Sequence, residues 1–162
     1  MADVGRVRIV QEGTITYPVS DGRVLLIEKK RGIGAGLYNG PGGKVEDGET
    51  PREAARREVR EEIRADPRSL AKAGELEFVF GDEHYMTVHV YRASGVAGTP
   101  AETAEARPVW VDLDAVPYDE MWEDDRLWLP LLLDGRTVRG WFRFDADAET
   151  MWGSHVETDV EF

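Results

Sequence analysis

Residues 43–65, GKVEDGETPREAARREVREEIRA, constrain this chain more than any other stretch. Glycine leads into a helix loaded with carboxylates. Thr50-Pro51-Arg52-Glu53 reads as a helix start, with Thr as N-cap, Pro at the first helical position and Glu three residues after the Thr. From Pro51 the helical period puts Ala55, Val59 and Ile63 on one stripe, the expected core face. Glu58 and Glu62 are four apart and share a side, and Glu61 sits beside them. Arg52, Arg56, Arg60 and Arg64 spread round the far side. Like charges at this spacing repel by roughly 0.2–0.5 kcal/mol per exposed pair. A divalent cation would remove the conflict. Hard cations such as Mg²⁺ take carboxylate oxygens and keep several waters, which leaves room for phosphate oxygens. The competing reading is a solvated charged helix.

The rest of the composition narrows the classes. A length of 162 residues suits one domain, residues 1–162, with one core. No Cys is present, which excludes disulfides, thiolate nucleophiles and Cys-based zinc sites. No N-terminal apolar run is long enough for a signal peptide or membrane span, so the expected location is the cytosol. The net charge of -12 repels nucleic-acid polymers and anionic membranes, and neither is expected as a partner. Residues 145–162 carry six acidic residues and no Lys or Arg, about half of that charge. Two readings stand: a salt-loving source, or simply an acidic cytosolic protein.

Alternation of apolar and polar residues predicts a strand over residues 6–19, using Val7, Ile9, Ile15 and Tyr17, with a break at Gly13. Ser20-Asp21-Gly22 is a hairpin turn signal, and residues 23–30 form the returning strand. Lys29-Lys30-Arg31 is a basic cluster, serving either solubility or phosphate contact. Residues 32–43 read as a Gly-rich loop. Asp66-Pro67 marks a turn, residues 73–80 and 84–93 are strands, and Gly81-Asp82-Glu83 turns between them. Leu76, Phe78 and Phe80 share one face, as do Met86, Val88 and Val90. Core packing and ligand binding are both open for these. His84, His89 and His155 have no metal or triad spacing and read as structural or surface groups. Residues 94–106 form a small-residue loop. Its Glu102 or Glu105 could reach the helix carboxylates, although surface acids are the common case. A strand at 107–112 follows. Residues 117–135 suggest a second helix, with Pro130 near its start or kinking it. Residues 137–144 and 150–157 are the final strands. This order predicts α/β (α+β) layering, a mixed sheet between helices.

The helical motif fits Gly-x5-Glu-x7-Arg-Glu-hydrophobic-x-Glu-Glu at Gly43, Glu49, Arg57, Glu58, Val59, Glu61 and Glu62. It therefore resembles the Nudix box, the motif of hydrolases that cleave nucleoside diphosphates linked to another group. It departs at Arg64 and Ala65, where the family has Gly and an aliphatic residue, which bears on how the helix ends. The resemblance implies that family's α/β/α sandwich. From about Thr14 to Phe144 the chain is also similar to the oxidised purine nucleoside triphosphatase (8-oxo-dGTP diphosphatase) subgroup. KKRGIGAG, YNGPGGKVEDGET, Met121-Trp122, Asp124-Asp125 and residues 128–133 carry this similarity. It departs at Ile33, where an aromatic is expected, and at Tyr38, in place of Trp.

That similarity implies hydrolysis of oxidised purine nucleoside triphosphates to the monophosphate and pyrophosphate, by a monomer that sanitises the nucleotide pool. It implies Mg²⁺, or Mn²⁺, on Glu58, Glu61, Glu62 and the Gly43 carbonyl, with Glu62 or a neighbour as general base and Glu105 as a further carboxylate. Arg57 would pair with Glu49. Asn39, Asp124 and Asp125 would hydrogen-bond the base, and Trp122 would stack on it. Thr14, Lys29, Phe78, Phe80, Met86, Trp128 and Phe144 would line the pocket. Repulsion and desolvation would keep one of the two Asp residues protonated; the competing reading is two acids at the start of a helix. Other Nudix substrates, such as a nucleotide sugar or dinucleoside polyphosphate, remain open, as does a non-catalytic nucleotide-binding module.

Overall fold

A computed structural model of the protein describes residues 9–32, 34–82, 84–147 and 150–162. Expectations resting on Val7, Ile33, Glu83 and the side chains of Ile9 and His84 lie outside the described residues. The hairpin forms as expected: β1 (Ile9–Ser20) turns at Asp21-Gly22 into β2 (Arg23–Lys29), with Val19 opposite Val24. Both turn residues have positive φ, 54° and 76°, which suits the right-handed twist of the flanking strands. The break expected at Gly13 does not occur. Gly13–Ile15 pair on one side with β4 (Gly42–Lys44) and on the other with β7 (His84–Ala93). A Cβ at Gly13 would lie 3.4 Å from the Gly43 carbonyl oxygen, so this glycine marks a close backbone approach.

The Gly-rich segment is less loop-like than its composition. It contains β3 (Tyr38–Asn39) and leads into β4. The helix α1 (Pro51–Ile63) has the full capping box: Thr50 accepts from the Glu53 N–H, and Glu53 accepts from the Thr50 N–H. Asp66-Pro67 is a short strand, β5, rather than only a turn. It pairs with β8 (Val96–Ala97), inside the segment expected to be loop. The backbone bonds Arg68 to Gly95 and Ser94 to Arg68 extend this zipper. After β6 (Ala71–Phe80), β7 and β9 (Ala106–Asp112), the expected long helix is broken up. Tyr118–Glu120 make one 3-10 turn, Met121 is extended and buried, and α2 spans only Asp125–Leu133. Burying Met121 pulls the chain into the core and interrupts the helix ahead of Trp122. Pro130 sits exposed in the middle of α2. The strands β10 (Val138–Phe144) and β11 (Met151–Thr158) close the chain.

The main sheet runs β11-β10-β6-β7-β1-β2-β3, with β4 added to β1 and β9 to β2. It is mixed: β1–β7 and β6–β10 are parallel, the other pairs antiparallel. Alternation along β2 shows the layering. Val24 and Leu26 pack with Trp128, Leu129 and Leu132, whereas Leu25 and Ile27 pack with Val59 and Ile63. Successive side chains point to opposite faces, so α1 and α2 cover opposite sides. The expected α/β/α arrangement is the one that forms.

The family's glycine at the helix exit is Arg64 here, and Arg64 takes the left-handed conformation that glycine would supply, with φ 55° and ψ 38°. A Cβ in this region costs roughly 1–2 kcal/mol. Arg64→Gly is therefore expected to raise unfolding stability by about 1 kcal/mol in urea titrations. A neutral or destabilising result would mean that the Arg64 side chain contributes more than its backbone strain removes.

Candidate active site

The carboxylates of α1 lie under the glycines of β4. Glu62 is 8% exposed, and its Oε1 accepts the Gly42 N–H at 2.9 Å. Its carboxyl also hydrogen-bonds that of Glu58, one turn away. Gly43 admits this packing, since a Cβ there would fall 2.4 Å from the Glu58 carboxyl carbon. Burial above all, and then the charge of Glu58, push the Glu62 carboxyl up to about 8, against the bond from Gly42 and the nearby charge of Lys29. In the β1–β4 ladder, Val45 donates to Glu12 and Thr16 to Pro41. The intervening Thr14–Gly43 pair is then hydrogen-bonded too, which uses one lone pair of the Gly43 carbonyl and leaves one.

Arg57 organises the rim. It grips Glu49 with two bonds of 2.7 and 3.0 Å, as expected, and also reaches Glu58 at 2.7 Å, Glu61 at 3.2 Å and the Lys44 carbonyl at 2.9 Å. Two expected carboxylates have cationic partners. Glu61, four residues beyond Arg57, turns to that guanidinium and to solvent rather than to Glu62. Glu105 pairs with Arg31, and Glu102 with Lys30, so the loop acids neutralise most of the basic cluster instead of joining the glutamates. Among the described residues no three acidic or His side chains converge as a metal group. The acidic side chains that do meet are Glu58 and Glu62, packed against Gly43. Two facing carboxyls that repel each other when ionised fit a hard divalent cation, which needs one or two carboxylates and completes its shell with water and phosphate.

The α2 side of the sheet is aromatic. Phe78 stacks with Phe80 and Phe142 at centroid distances of 6.2 and 5.3 Å, and Phe80 with Phe144 at 5.6 Å. Met86 lies opposite Phe78 in the register. Two residues expected here stand elsewhere. Thr14 is paired with His89, one residue out of step with Val88 and Val90 of this core, so its side chain faces α1, where its buried hydroxyl has no partner. Lys29 continues the Leu25–Ile27 side and acts on Glu62. Trp128 is fully buried, so it supports the site from behind: its indole N–H donates to Asp124 Oδ2 at 2.8 Å.

Asp124 and Asp125 are each 3% exposed. Asp124 occupies the N-cap position of α2, yet its side chain makes no capping bond. Asp125 Oδ2 is buried without a partner. Burial raises both carboxyls. The rise at Asp124 is opposed by the Trp128 N–H, and that at Asp125 is reinforced by the charge of Asp124. The two carboxyls interact and both are raised by burial, so they titrate as a pair. Acids that merely favour a helix dipole would be exposed and ionised.

Sequence reasoning missed two residues. Tyr17 is fully buried, and its hydroxyl donates to Asn39 Oδ1 at 3.1 Å; the alternation in β1 marked it only as core. Gly34, at φ 83°, lets its loop rest on the indole of Trp122: a Cβ there would be 3.1 Å from Trp122 Cζ2. Its GxG context was the available signal.

A NUDIX domain profile matches residues 12–132. The chain is 48% identical over 132 residues to the oxidized purine nucleoside triphosphate hydrolase of Danio rerio, covering 81% of this chain and 85% of that one. To the protein of the same name from Mus musculus it is 44% identical over 139 residues, covering 85% and 88%. Its fold superposes on the mutator MutT protein of Bacillus halodurans with a TM-score of 0.79 at 25% identity, over 91% of this chain and 97% of that one. A profile match over most of the chain, with hydrolase relatives at this identity, shows that the chain belongs to the Nudix hydrolase family.

Proposed function

We propose that this Nudix hydrolase cleaves oxidised purine nucleoside triphosphates to the monophosphate and pyrophosphate, removing them from the nucleotide pool. The names of the Danio rerio and Mus musculus relatives support this substrate class. The observation that carries it is the buried Asp124–Asp125 pair, which caps no helix and leaves a carboxyl oxygen unpartnered. A protonated Asp125 donates and an ionised Asp124 accepts, a combination suited to the altered edge of an oxidised purine. Moving the proton between them would accommodate an oxidised guanine and an oxidised adenine in turn. Trp122 would supply the stacking surface, and the Phe78, Phe80, Met86 and Phe144 face the apolar wall.

Glu58, Glu61, Glu62 and the Gly43 carbonyl would hold Mg²⁺ or Mn²⁺, with Glu58 and Glu61 each keeping one oxygen on Arg57. When bound, the cation supplies charge neutralisation of the polyphosphate and activation of water. Glu62, ionised once the cation's charge offsets the repulsion from Glu58, would take up the water's proton. Lys29 adds positive charge on the same side. The same reading makes the chain a single-domain monomer of the cytosol. No helix of the described residues is long and apolar enough to cross a membrane.

A screen of oxidised and ordinary triphosphates, nucleotide sugars and dinucleoside polyphosphates, read by pyrophosphate release, tests the assignment. Preferred cleavage of a nucleotide sugar would replace it. The net charge of -12 also supports the salt-loving reading. Self-repulsion is screened within about 8–10 Å at physiological ionic strength. The melting temperature is expected to rise from low to molar salt; a flat profile would remove that reading.

A further inference from the structure

We infer that Tyr17 is a specificity-determining positioning residue: it fixes Asn39 as a donor-only reader of the base, favouring a purine with a carbonyl oxygen over one with an amino group at the position Asn39 meets. This rests on the base site proposed above. Asn39 Oδ1 accepts from two groups, the Tyr17 hydroxyl at 3.1 Å and the Gly40 N–H at 2.9 Å. The Gly40 N–H is an unambiguous donor, so the atom it meets is the amide oxygen, and the amide orientation is settled. A carbonyl oxygen has two acceptor sites, and both are taken. Only the NH₂ of Asn39 is left to address a ligand. Turning the amide round would break the Gly40 bond and set the NH₂ against that N–H donor.

Tyr17 is held too firmly to follow such a flip. It is fully buried, its ring stands edge-on to Trp128 at 6.0 Å and 66°, and Gly40 packs so closely that a Cβ there would be 2.9 Å from the Tyr17 Cε1. Burial above all, and then the nearby Asp124–Asp125 pair, keeps the phenol protonated, so its hydroxyl can donate to Asn39. The same tyrosine thus touches the base-reading amide at its hydroxyl and, through Trp128, backs Asp124 at its ring. Tyr17 does not reach the ligand itself and acts through Asn39.

The test is a double-mutant cycle of Tyr17→Phe and Asn39→Ala. Its substrates are 8-oxo-deoxyinosine and 8-oxo-deoxyadenosine triphosphate, which exchange a carbonyl for an amino group at C6. Phenylalanine keeps the ring packing and leaves Asn39 bonded to Gly40. The ratio of kcat/KM, carbonyl over amino, should fall roughly three- to tenfold in Tyr17→Phe, the worth of one neutral hydrogen bond. The change should lie in KM, with kcat for the carbonyl substrate kept, and should vanish in the Asn39→Ala background. A merely structural role would lower both substrates together or lower kcat, and either result overturns the inference. An unchanged ratio does so as well. In the wild type, NMR should show a slowly exchanging Tyr17 hydroxyl proton close to the Gly40 amide; its absence also overturns the inference, whether or not the variants fold. If the wild type cleaves neither oxidised purine better than a nucleotide sugar, the base-site reading itself fails, a result distinct from a wild-type preference that Tyr17→Phe leaves intact.

Discussion

Glu62→Gln is expected to lower kcat by about 10²–10⁴-fold and, in excess chelator above pH 8, to stabilise the fold. The two effects have one cause. Glu62 is buried beside Glu58, and its carboxyl is pushed up to about 8. An unfolded Glu titrates near 4.3. Between those values the folded chain holds a proton that the unfolded chain releases. Stability contributed by this group is therefore full below about pH 4 and falls as pH rises through about 8. Glutamine keeps the oxygen that accepts from Gly42 and offers an NH₂ to Glu58, without the charge. The variant should gain on the order of 1–3 kcal/mol over wild type at pH 9 in chelator, and the difference should vanish near pH 4. Denaturant melts at the two pH values and steady-state kinetics give both halves. Near-normal turnover, or wild-type rates in excess chelator, would remove the carboxylate site from the chemistry.

Asp124→Asn and Asp125→Asn are expected to diverge. Asparagine copies a protonated acid in having both a donor and an acceptor, so Asp125→Asn should retain much of the activity on one oxidised purine while losing the ability to adapt to the other. Asp124→Asn removes the charge that accepts from Trp128 and, in the proposed base site, would accept from the ligand. Losing a hydrogen bond to a charged group costs roughly 1.5–3 kcal/mol, so kcat/KM for the preferred oxidised purine should fall about 10- to 100-fold. Activity on ordinary purine triphosphates should change less. If both variants keep the wild-type preference between bases, the pair does not read the base, and the site reverts to a generic Nudix pyrophosphatase.

What was legible in the sequence was local. The Thr50–Glu53 box, the Ala55–Val59–Ile63 stripe and the Asp21-Gly22 turn are each decided within a few residues, and each forms as expected. What was not legible depends on partners far along the chain. The β5–β8 zipper joins residues 66–67 to 96–97, and no local pattern announces it. Helical spacing put Glu61 beside Glu58, but the ion pairs of Glu61 with Arg57 and of Glu105 with Arg31 depend on side-chain geometry that spacing does not give. Thr14 is instructive in the other direction. Alternation in β1 already put it opposite Ile15 and Tyr17, yet the resemblance carried it into the aromatic pocket, and the register returns it to the α1 face. The bond from Tyr17 to Asn39 spans 22 residues and two strands, and only the folded sheet brings the pair together.

The substrate assignment is tested most directly by the ratio of kcat/KM for 8-oxo-dGTP to that for dGTP in wild-type protein, with Mg²⁺ present and both products identified. A site that reads an oxidised edge with a shared proton should favour 8-oxo-dGTP at least about tenfold, the worth of one well-placed hydrogen bond. Its products should be the monophosphate and pyrophosphate. A ratio near one, or release of single phosphates, would contradict the account.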